Sequence, residues 1–241
     1  MVVPQLATAL DVALPTAARR VRKLKDRGLL ITGIPLEGQP RPVLITKAGL
    51  AEIGSDLRAP TENRAEYRHD IGVGWLHLAA QQGVFGEITE LRLDREMRQH
   101  DSRRDLDGPR GAIELDSYGS RGPMHHYPDL LLTTTSGQRV AIELELSNKG
   151  VDRLQDIMYG YAHDPKVDAV LYLVESDAVA RTVARAARNA GIESQVHVQR
   201  LARDAVDGAP APATGREPAR SAGASAGRAV IATRQGAEGQ R

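Results

Sequence analysis

The chain contains no cysteine. That excludes disulfides, thiolate zinc sites and thiol nucleophiles, and it fits a reducing compartment. Aromatic residues make up only 3% of it, with one Trp and one Phe, so a core must be built from Leu, Val, Ile and Ala. No apolar run approaches the ~20 residues of a membrane-spanning helix. Met1-Val2-Val3-Pro4-Gln5 lacks the basic-then-apolar layout of a secretory leader. No GxxxxGK[ST] loop is present, so P-loop ATPase chemistry is not expected. An excess of one charge sign is missing too: the formal net charge is +1 over 241 residues. A nucleic-acid surface must then be a local patch. These absences lead to the expectation of a soluble, cytoplasmic protein of one large or two small domains, without membrane contact.

What is present begins with a helix pair. Pro4 opens a first helix with Leu6, Ala9 and Leu10 on one side. Asp11 to Leu14 breaks it, and Pro15 or Thr16 starts a second, which Gly28 terminates. Ala17, Val21 and Leu24 form the apolar stripe of that second helix. Its other faces carry Arg19, Arg20, Arg22, Lys23, Lys25 and Arg27. A hairpin is predicted next, Leu29 to Thr32 and Val43 to Thr46, with Arg41 in its polar loop. Thr46 is placed to cap a short helix from Lys47. A helix in which nearly every exposed position is basic suits the major groove of double-stranded DNA, where cations neutralise phosphates. The alternative is a solvated helix face.

Residues 58–64 read as a polar linker, and 65–203 as a second domain. A helix is predicted from about Ala65 to Gln82, weakened by Gly72 and Gly74. A strand follows to about Leu93. Arg95 to Gly122 reads as a long charged loop with a short strand at Ala112 to Leu115. Then come His126 to Leu132, read as one strand, and Arg139 to Lys149 as its neighbour. In the latter, Val140, Ile142, Leu144 and Leu146 alternate with Glu143, Glu145 and Ser147, so the two carboxylates share one face. Asp129 on the preceding strand is placed to join them. A helix to about His163, the apolar strand Val167 to Val174, a helix to Gly191 and a strand to Leu201 complete the domain. Residues 204–241, rich in Ala, Gly, Pro, Ser and Arg, cannot bury a core and are expected to be disordered. The fold class is α/β (α+β), a mixed sheet flanked by helices.

Two resemblances follow. Residues 1–57, with Arg-Lys-Leu-Lys-Asp-Arg-Gly-Leu-Leu and later Leu-Ile-Thr-Lys-Ala-Gly, resemble a winged helix-turn-helix. Such a domain has a further helix before the pair, so apolar surface is expected at Leu6 and Leu10. Residues 65–201, with Pro-Asp on one strand and Glu-x-Glu on the next, resemble the restriction-endonuclease-like PD-(D/E)XK superfamily. The combination with His-Tyr-Pro-Asp-Leu-Leu-Leu, Tyr-Gly-Tyr-Ala-His-Asp and Val-Leu-Tyr-Leu-Val looks like actinobacterial proteins of the replication-relaxation type, associated with plasmids and conjugative elements.

The resemblance implies Asp129 and Glu143 as ligands of Mg²⁺ or Mn²⁺. It places a lysine two residues after the glutamate, where this chain has Glu145. Lys149 at the strand end is the substitute candidate. Glu66 or Asp70 would complete such a site, with His69, His125 and His126 near it in sequence. The implied function is a DNA-binding accessory protein of plasmid or mobile-element replication, relaxation or transfer. Its partners would be DNA, a relaxase or other transfer proteins, and a second copy in a homodimer. A metal-dependent endonuclease and a winged-helix transcription regulator are the alternatives. No histidine cluster or placed tyrosine argues for relaxase chemistry by this chain alone.

Overall fold

The computed structural model describes residues 1–34, 36–102, 111–115, 124–147 and 150–201. The tail at 204–241 and Lys149 lie outside them. The fold is mixed α/β, with seven α-helices, a five-stranded mixed sheet and two small two-stranded sheets among the described residues. Two compact units divide between Leu78 and Ala79.

In the first unit, α1 (Val3–Ala9) and α2 (Leu14–Asp26) precede the antiparallel pair β1 (Leu30–Thr32) and β2 (Val43–Ile45). Val2 bridges Pro42 and so adds a third short run to that hairpin. Thr46 caps α3 (Lys47–Glu52) by accepting the Gly49 N–H at 3.0 Å. A 3-10 turn, Arg64–Glu66, leads into α4 (Tyr67–Gln81).

The division falls inside α4, so the helix read as opening the second domain lends all but its last three residues to this unit. Tyr67, Ile71 and Trp75 pack with Val2 and Leu36. Gln5, fully buried, ties the helices together: its Oε1 accepts the Val2 N–H at 2.9 Å and its Nε2 donates to the Ile71 carbonyl at 2.7 Å. Gly74 is therefore a packing residue. A Cβ there would stand 2.7 Å from Gln5 Nε2. Leu10 is exposed, and Leu6 is partly buried.

In the second unit, β3 (Ile88–Leu93), β6 (Leu130–Thr134), β7 (Arg139–Glu145), β8 (Ala169–Val174) and β9 (Val196–Arg200) form the main sheet in the order β3-β6-β7-β8-β9. The first two pairings are antiparallel and the last two parallel. The parallel pairings need crossovers, supplied by α6 (Val151–His163) and α7 (Asp177–Asn189). Both faces of the sheet are buried. Leu130, Leu132, Ile142, Leu144, Leu171 and Leu173 line one. Leu131, Ala141, Val170, Tyr172 and Val174 line the other, in a core shared with Leu154, Ile157, Met158 and Tyr161 of α6 and Val179 and Val183 of α7.

Two features differ from the expectation. The charged stretch after β3 begins with a helix, α5 (Asp94–Asp101), not a loop. Glu96 accepts the Leu93 N–H at 2.9 Å to start it, and Met97 anchors it, fully buried. The run from His126 to Leu132 is also not one strand. It breaks at Tyr127-Pro128-Asp129. β5 (Met124–His126) pairs with β4 (Ile113–Leu115) in a separate ribbon, while β6 joins the main sheet. Proline has no N–H for a ladder, which favours a break there. The ribbon packs on α6 at Gly160, where a Cβ would come within 2.9 Å of the Glu114 carbonyl.

Candidate functional site

The cations of α2 face outward because its inward face is small and apolar. Ala17 and Val21, one helical turn apart, are its buried residues. Arg19, Arg20, Arg22, Lys23 and Lys25 are all exposed, as is Arg41 in the hairpin loop. Lys25 donates to the Thr32 hydroxyl at 3.0 Å, which holds it against β1. Arg27 is neutralised by Glu52 at 2.7 Å. Among the described residues no carboxylate pairs with Arg19, Arg20, Arg22, Lys23 or Arg41.

In the second unit the register assembles a row of polar side chains from the ends of β3 and β6 onto β7 and β8. Leu93 is opposite Leu130, and Leu130 is opposite Ile142. One residue further, Asp94 therefore stands beside Asp129, and Asp129 beside Glu143. Glu143 in turn pairs with Tyr172. Strand alternation puts Glu143 and Glu145 on the same face. That face is not solvated: Glu143 is 1% exposed and Glu145 4%.

A buried carboxylate needs donors, and Glu143 has them. Its Oε1 accepts the Tyr161 hydroxyl from α6, and His126 Nε2 lies 2.5 Å away. The two rings meet edge to face, 6.0 Å apart. Asp129 Oδ2 accepts the Leu144 N–H at 2.7 Å, fixing β6 to β7. At the row's outer end, Arg98 pairs with Asp94 at 2.5 Å and lies 4.4 Å over the Tyr127 ring.

The titration of these groups follows their burial. Desolvation pushes the Tyr161 phenol well above its ordinary value, and the neighbouring Glu143 adds to it. Tyr172 is raised well above by burial, then by Glu143, Glu145 and Asp129. Both phenols remain protonated and so do not act as bases; Tyr161 donates a hydrogen bond to Glu143. Among the described residues the Tyr172 hydroxyl has no hydrogen-bond partner. Burial also raises Asp94; Arg98 opposes this and Asp129 reinforces it.

Of the site residues read from sequence, Asp129, just before β6, stands beside Glu143 of β7, Glu145 lies two residues further along the same face, and His126 contacts Glu143. Glu66 and Asp70 are exposed near the start of α4, and Asp70 lies 4.0 Å from His69. His125 is exposed, opposite Glu114 in the ribbon. Among the described residues no three His, Asp or Glu side chains form a group able to hold a metal ion.

Asp94, Tyr161 and Tyr172 were not legible as site residues. Asp94 follows a strand end and is placed only by register. Tyr161 shares a helical stripe with Leu154 and Met158, which reads as packing. No helix among the described residues is long and apolar enough to cross a membrane. Comparison of the chain with family models, with curated proteins and with solved structures finds no match in any of the three.

Proposed function

We propose that the chain is a DNA-binding accessory protein of plasmid or mobile-element replication, relaxation or transfer. In this reading α2 docks on duplex DNA, the β1–β2 loop with Arg41 acts as a wing, and the second unit is a nuclease-like domain. The observation that carries it is the exposed face of α2, whose unpaired cations are concentrated on one element of a nearly neutral chain. Phosphate neutralisation needs such a surface. Replacing Arg19, Arg22 and Lys23 by Gln should weaken binding to a labelled duplex about tenfold and lower the salt slope by about 3. An unchanged slope would move the interface away from α2.

For the second unit, the hydrogen bonds on Glu143 and Asp129 favour a domain that binds without cutting. Glu143 Oε1 is engaged by Tyr161 and His126, and Asp129 Oδ2 by a backbone N–H. A metal-dependent endonuclease is the second reading, favoured by the register that sets Asp129, at the entry to β6, beside Glu143 of β7. Those two would hold Mg²⁺ or Mn²⁺, which would polarise the phosphate. Supercoiled plasmid incubated with Mn²⁺ separates the two readings. Nicking that disappears in Asp129→Ala and Glu143→Ala establishes the enzyme; intact plasmid removes it.

A further inference from the structure

The second unit has its own basic surface, on α7. Val179, Val183, Ala186 and Ala187 face the core. On the opposite side Arg181, Arg185 and Arg188 are exposed in succession. The acid that would be expected to neutralise Arg181 is Asp177, one turn earlier. Arg200 of β9 takes it instead, at 3.1 Å. The other exposed acids nearby, Asp152 and Asp156 on α6 and Glu193 after α7, form no ion pair with these arginines. The contrast with its surroundings is sharp: residues 79–202 hold nineteen Asp and Glu against fifteen Lys and Arg.

We infer that this arginine face is a second contact for the phosphate backbone of double-stranded DNA. The inference rests on the DNA-binding reading of α2 and adds a surface to it. The three guanidinium groups extend over about 10 Å of helix axis. A duplex presents about six phosphate charges over that length. All three cations are arginine, whose planar fork matches a phosphate through two parallel hydrogen bonds. The face has no aromatic or apolar anchor of the kind a protein partner would occupy, and its exposed residues besides arginine are Asp177, Ala178 and Asn189.

The test uses the full chain and a fluorescein-labelled duplex, with polarisation read across a salt series. The Arg181→Gln, Arg185→Gln, Arg188→Gln triple variant keeps the side-chain stems and so the packing of α7. Its salt slope should fall by about 2 to 3 and its affinity by about tenfold, with an unchanged thermal midpoint. Unchanged slope and affinity, with the wild-type chain binding normally, would overturn the assignment and leave the face to an acidic protein segment. A wild-type chain that binds no duplex would overturn the reading of α2 as well.

Discussion

The first unit displays its charge and the second hides it. In residues 1–78 the cations that set the sign of the unit stand on the open side of α2. In the second unit Glu143 and Glu145 are on the core side of a central strand, and Glu143 is held by partners from β5 and α6. The physical consequences differ. An exposed cation is hydrated in any state of the chain, so it adds little to folding and is available for a ligand. A buried carboxylate has lost its water, so its partners decide whether the fold tolerates it.

The contrast breaks most clearly at Glu143. Glu143→Ala leaves the Tyr161 hydroxyl and His126 without their acceptor in the core. A loss of about 3 to 5 kcal/mol is expected from denaturant unfolding. The α2 variant described above should leave unfolding within about 0.5 kcal/mol of wild type. Equal costs at the two places would show that burial is not what distinguishes them.

Asp101 sharpens the comparison as a buried acid outside the row. It closes the end of α5 by accepting the Gly111 and Ala112 N–H groups at 3.0 and 2.9 Å, beside His100. Burial works to raise its carboxyl, but the hydrogen bonds from His100, Ala112 and Gly111 outweigh it and hold it below the ordinary value. A depressed carboxyl stabilises the fold above its unfolded value, about 3.9, and that contribution is lost as pH falls through the folded one. Asp101→Asn should therefore cost about 1 to 3 kcal/mol at neutral pH, and the difference from wild type should shrink in acid. A difference that stays constant with pH would assign the effect to packing.

The smallest effect is expected at Tyr172. Its hydroxyl is buried without a partner among the described residues, so Tyr172→Phe removes an unsatisfied group and should raise stability by up to about 1 kcal/mol. A clear loss in thermal unfolding would mean that the hydroxyl is held in solution.

The legible part of the fold was what repeats locally. Alternation in β7 separates Ile142 and Leu144 from Glu143 and Glu145 without any tertiary knowledge. The α2 stripe of Ala17 and Val21 is equally local. What escaped depends on long-range partners. α5 hides because seven of its eight residues are polar and Met97 alone anchors it. Gly74 reads as a weak point in a helix until Gln5 is found against it. Tyr161 meets Glu143 eighteen residues away, and no periodicity announces that contact. The burial of Glu143 and Glu145 escapes for the same reason. Alternation tells which face a residue shares, but the crossover helix decides what covers it.

The turn between β6 and β7 has a consequence for the order in which the chain assembles. Thr134 closes it, its backbone N–H donating to the Gln138 carbonyl at 2.9 Å and its hydroxyl accepting the Gln138 N–H at 3.1 Å. Four residues separate these strands, whereas the β7–β8 register joins residues 29 apart. Closing a short loop sacrifices the least chain entropy. The hairpin is therefore the pairing that the main sheet can nucleate first. In that order of assembly Asp129 and Glu143 would meet before α6 brings Tyr161 onto Glu143.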